Sequence, residues 1–190
     1  MTLRLRVAVG LMVGMAIART SAAQAGEGVM SDAEVEAVRD ANYVPSDCIA
    51  AYEKILNTRE KEIEELLAKP RHAGREQDLH DLMEQMAAIA DELSDHLDEY
   101  GAKHRDVRKV LPKLVLATER WATALRTPAD DGTYKVVRKL ALDAVQDMRD
   151  EAEKMESEQE AYFKAHPDAA KAEKERLSRP HDPTVPGEQP

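Results

Sequence analysis

Four residues of this chain carry chemistry beyond packing: Cys48, His96, His104 and Met155. A thiolate, two imidazoles and a thioether together suit a soft or borderline ion such as copper or zinc, or the axial ligation of a haem. They stand far apart in sequence, so the set exists only where a fold gathers it. With a turn near residue 72, antiparallel pairing matches residue i with 144 minus i and places Cys48 beside His96. A turn near Gly101 brings His104 opposite Glu99, one turn from His96. A last turn near residue 130 brings Met155 to the same level, with Tyr52 and Tyr100 nearby. The plainer expectation for the same residues is burial without chemistry, because free Cys and Met are common core residues.

No local motif offers an alternative chemistry. The chain has no GxGxxG or GxxxxGK[ST] loop, no GxSxG elbow, no HExxH, no CxxCH and no EF-hand loop. Ser94, Asp95 and His96 have the residue types of a hydrolytic triad, but consecutive helical positions point in different directions and cannot form a relay. There is no Glu-x-x-His, which a di-iron bundle requires twice. Catalysis is therefore not expected, and a resident cofactor is expected only through the Cys48 set.

The elements that would position those residues are helices. Apolar residues recur every three and four positions at Ile49, Tyr52, Leu56, Ile63 and Leu66, between Pro45 and Pro70, predicting a helix over 46–69. A second, over 75–100, carries Leu79, Leu82, Met86, Ile89, Leu93 and Leu97. A third is predicted over 103–126, with a kink or restart at Pro112, because proline lacks a donor and clashes with the preceding turn. A fourth runs from about Thr133 to just before Pro167, with Val137, Ala141, Ala144, Met148, Ala152, Met155, Gln159 and Tyr162 inward. Ser31 and Glu34 form a capping-box pattern for a short helix ending near Ala41.

No alternating or β-branched run argues for a strand. Long helices joined by short loops predict an all-α, antiparallel up-down-up-down four-helix bundle over 46–166, coiled-coil-like in its packing, preceded by a short helix and linker over 26–45. Residues 167–190 are expected as a polar helical extension followed by a disordered, proline-rich tail. The nine acids between Glu76 and Ala102, with no Lys or Arg among them, should draw the second helix to the basic third. Arg59 interrupts the first seam; the same arithmetic sets it against Glu84 and Gln85, where a polar pair would fix register. Trp121 is expected in the core near Ile63, Leu82, Met86 and Leu140. Residues 32–43 are expected to fold over Tyr162 and Phe163.

The amino terminus reads as an address. Arg4 and Arg6 precede an apolar run from Val7 to Ala18, and Ala23-Gln24-Ala25 offers the small-x-small pattern of a signal peptidase site, so residues 1–25 are expected to be a cleaved signal peptide. Twelve apolar residues are too few to span a bilayer. Removing residues 1–25 takes away three arginines and no acid, leaving 24 bases against 37 acids, a net charge of −13. So acidic a chain is repelled by nucleic acid and by anionic lipid. The expectation is a periplasmic or secreted binding or scaffold module. Its partner would be a protein, met through an acidic face or through the long fourth helix. A metal or haem carrier using the Cys48 end is the alternative, and an enzyme without a recognisable motif a further one.

Overall fold

The computed structural model describes residues 28–178; the expected signal peptide and the tail beyond Ser178 lie outside them. Six helices follow in order: α1 (Asp32–Ala41), α2 (Pro45–Ala68), α3 (Arg75–Ala102), α4 (Leu111–Arg126), α5 (Lys135–Ala165) and α6 (Pro167–Ser178). Among the described residues there is no strand, and no helix is long and apolar enough to cross a membrane.

Local chemistry sets most of the boundaries. At α1 the capping box is complete: Ser31 Oγ accepts from the Glu34 amide, and the Glu34 carboxylate accepts from the Ser31 amide at 2.8 Å. Pro45 starts α2, where its missing N–H costs nothing, and the helix closes just before Pro70, which disfavours helical geometry at Lys69. Gly74, at φ +91°, makes the left-handed step into α3. The third predicted helix does not begin at residue 103. It starts at Leu111, with Pro112 in its first turn, and residues 103–110 form a connector. Proline thus restarts the helix and does not kink it.

The end of α3 takes an unusual form. His104 has φ +49°, and the Arg105 amide bonds back to the Tyr100 carbonyl at 2.9 Å, a Schellman closure with histidine where glycine is commonest. The imidazole stacks on the Tyr162 ring with centroids 3.8 Å apart, which offsets the cost of the left-handed backbone. His166 stacks on the same tyrosine at 4.4 Å.

Around the core, α2 packs against α3 and α4, and α5 packs against the same two. The expected pairing of α3 with α4 is not formed: they sit across a diagonal, and the most extensive interface joins α3 to α5. Two helical hairpins are laid side by side, so that α2 runs parallel to α4 and α3 parallel to α5. Lys113 reaching Glu53 and Arg120 reaching Glu60 mark the first pair; Gly101 beside Met155 and Asp91 beside Asp147 mark the second. Charge did not decide this order, because exposed ion pairs contribute about 0–1 kcal/mol while apolar burial dominates. Leu56, Ile63, Met86, Leu93, Leu114, Trp121 and Met148 are all buried in one core.

Four other expectations are corrected. Trp121 is buried, but its indole N–H donates to Asn57 Oδ1 at 2.9 Å, and Leu140, expected beside it, is exposed. Arg59 does not meet Glu84 or Gln85. Its guanidinium, 9% exposed, bonds Glu34 at 2.8 Å, so it holds α1 against α2. Consequently α1 does not cover Tyr162 and Phe163; the Arg108 guanidinium lies 4.5 Å over the Phe163 ring instead. Finally, α6 is more than a polar extension, because its Glu173 pairs with Arg105 of the connector at 3.0 Å with both side chains largely buried.

Candidate functional site

The predicted ligand set is partly assembled. Tyr52 and Glu92 join α2 to α3 through a 2.8 Å hydrogen bond, a pairing that sums to 144 as the sequence required. At this end His96 lies between two tyrosines, 5.4 Å from the Tyr52 ring and 5.9 Å from that of Tyr100. Cys48 is fully buried beside them. Burial pushes its thiol pKa up, with the Glu92 and Glu99 carboxylates adding to the effect against a contact with Tyr100 that opposes it. Burial likewise raises both tyrosines. The Tyr100 hydroxyl is buried without a well-formed hydrogen bond and has the thiol as its polar neighbour. A thiol held protonated among aromatic rings is neither a nucleophile nor a ready ligand.

The other two members serve different contacts. His104 belongs to the Tyr162 stack, and Met155 is buried against Gly101, where an added Cβ would come within 3.4 Å of its methyl carbon. Gln159 pins the connector to α5: its carbonyl accepts from the Val107 amide at 3.1 Å, and its amide donates to the Arg105 carbonyl at 2.7 Å. This end of the molecule is polar, buried and tied together.

The opposite end of the α3/α5 interface is open. A groove of about 590 Å³ runs along the first halves of these two helices. Ala87, Ala88 and Ala144 line it, Val136 and Leu140 stand exposed in it at 73% and 56%, and Glu84, Asp91, Asp143 and Asp147 complete the wall. No Lys or Arg is part of that lining. Asp143 is paired with Lys139, but among the described residues Glu84, Asp91 and Asp147 have no cationic partner. Desolvation of the Asp91 carboxyl against the helix pair raises it above its ordinary range although the residue is exposed, and the nearby Asp95 and Asp147 charges add a smaller push in the same direction.

No protein-family model, curated protein or solved structure matches the chain.

The residues best placed to hold a divalent ion are not the predicted ones. Donor atoms of His80, Asp81 and Glu84 lie within 4.8 Å of one another at the head of the groove, and no other trio of His, Cys or acidic donors gathers so closely among the described residues. All three are solvent-accessible, and Asp81 is already engaged by His80 at 3.1 Å and by Gln77 at 2.7 Å. The i, i+4 spacing of His80 and Glu84 was visible in the sequence. The groove had a fainter signal: Val136 and Leu140 are apolar, four apart, and displaced by one position from the buried Val137 and Ala141.

Proposed function

We propose that this chain is an exported, non-catalytic binding or scaffold module whose partner is a cationic protein. The observation that carries this reading is the uncompensated negative charge of Glu84, Asp91 and Asp147, exposed along one groove whose lining holds no Lys or Arg. Proteins keep such an arrangement at a cost, and a positively charged partner would remove it. The overall charge of −10, and −13 without residues 1–25, favours the same class of partner by steering encounter. Export rests on residues 1–25 and agrees with a single, inert thiol, which needs no reducing compartment.

Two measurements test this reading. The protein recovered from the cell envelope is expected to begin at Gly26 and to be colourless and free of stoichiometric metal; bound copper, zinc or haem would favour the carrier reading instead. Lysine-rich proteins are expected to associate with it at low ionic strength and to be released by about 0.5 M salt, where screening acts within a few ångströms. Binding that survives that salt unchanged, or is absent at low salt, would reject a cationic partner.

A further inference from the structure

We infer that the α3/α5 groove is the docking surface, and that its occupant is an amphipathic helix of a partner protein, apolar along one stripe and flanked by Lys or Arg. The inference rests on the reading of a cationic partner and gives that partner a shape and a place. The occupied stretch of α3, from His80 to Asp91, and that of α5, from Val136 to Asp147, each cover about 17 Å at 1.5 Å per residue. A partner helix of three to four turns matches both.

Its apolar stripe has a complement. Val136 and Leu140 present branched side chains one turn apart, while Ala87, Ala88 and Ala144 leave a shallow floor into which larger side chains can seat. Anchors at positions i, i+4 and i+7 of an incoming helix are the known way to fill such a trough. Its charge has a complement too. Glu84, Asp91 and Asp147 are spread along the trough, and a helix carrying Lys or Arg on either side of its stripe would supply what the described residues do not.

A second copy of this chain fits poorly. It would bring another acidic surface onto Asp91 and Asp147, adding like charge to a lining that holds no Lys or Arg. An extended strand has no sheet edge here to join, since the described residues contain none.

The probe is a fluorescein-labelled synthetic helix of about fourteen residues, with Leu along one stripe and Lys elsewhere; its control has the same composition in scrambled order. Anisotropy titrations with the full chain are expected to show the patterned peptide binding at least tenfold more tightly than the scrambled one. Leu140→Ser and the pair Asp91→Asn, Asp147→Asn should each weaken it at least fivefold. Leu116→Ser, at a residue 62% exposed on α4, should leave it unchanged. Backbone amide shifts on titration should concentrate in residues 80–91 and 132–147. Equal binding of the scrambled peptide, or indifference to the groove substitutions while binding persists, overturns the groove and leaves the cationic partner standing. Failure of every cationic peptide and protein overturns both. A dimer in which Leu140 is buried would give the groove to a second copy and overturn the inference as well.

Discussion

The two ends of the α3/α5 pair are built from the same kinds of helix yet finished in opposite ways. At the connector end most polar groups are matched, the buried Tyr100 hydroxyl being an exception. Gln159 satisfies Val107 and Arg105, Arg108 clasps Asp106 through two bonds of 2.9 and 2.7 Å, and Arg105 meets Glu173. At the groove end apolar side chains stand in water and carboxylates face one another unpaired. Ionisation shows the contrast. Asp106 is held below its ordinary range, chiefly by its bond to Arg108, whereas Asp91 is pushed above it, chiefly by burial. One end uses its polar groups to hold the connector, and the other leaves apolar and charged groups facing water, as the proposed docking surface requires.

The largest effect expected from this contrast concerns Cys48. Fully buried and held protonated, it should react with a thiol reagent at neutral pH at least about a thousandfold more slowly in the native chain than in urea, its labelling limited by opening of the bundle. Fast native labelling would mean that the connector end breathes and is not closed. The next concerns the brace itself. Gln159→Ala leaves the Val107 amide and the Arg105 carbonyl unpaired and opens a cavity, so urea unfolding should show a loss of about 2–4 kcal/mol. Leu140→Ser at the other end should change stability by less than about 0.5 kcal/mol. Similar losses at both ends would erase the distinction.

Helical class, the inward stripe of α5 and the α2/α3 register were legible because each depends on spacing within one helix or across one tight turn. Tyr52 opposite Glu92 is the case in point. What failed depends on how one hairpin is set against the other. The sequence pattern of α3 says which face is buried; it does not say whether α4 or α5 covers that face, and the acidic run misled because surface charge is a weak guide to pairing. With α5 in the place expected of α4, Leu140 is exposed, not core, and His104 stacks on Tyr162. Arg59 was recognised as a polar interruption, but its partner came from α1, whose docking no periodicity in α2 could reveal. The groove went unseen for the same reason, since it is a property of two helices that are not neighbours in the chain.

A smaller effect is expected at Glu173, which fastens α6 to the connector. Burial opposes its ionisation, but hydrogen bonds from Arg176 and Arg105 outweigh that and hold its carboxyl below the ordinary value of 4.5. A carboxyl lowered on folding stabilises the fold fully above its unfolded pKa and loses that contribution as pH falls through the folded value. Glu173→Ala should therefore cost about 1–2 kcal/mol at pH 7, and the difference from the wild type should shrink towards pH 3. A difference independent of pH would show that α6 is held by packing and not by this pair.

The smallest effect is the one of opposite sign. Asp91 is raised above its ordinary 3.8, so the linkage reverses: the proton-bound form is favoured by folding, and stability is lost as pH rises through the folded pKa. Asp91→Asn removes a charge that Asp95 and Asp147 repel, without removing any hydrogen bond that the native fold makes there. It should stabilise the free protein at pH 7 by about 0.5 kcal/mol or less, and leave it unchanged at pH 3, where the native carboxyl is already protonated. The gain should also diminish with added salt. In the same protein this substitution, combined with Asp147→Asn, is expected to weaken the amphipathic peptide. A residue whose removal improves the fold while impairing association is placed for binding, because nothing in folding accounts for keeping it. Destabilisation by Asp91→Asn at neutral pH would instead make the carboxylate part of the scaffold and take away the main reason for reading this groove as an interface.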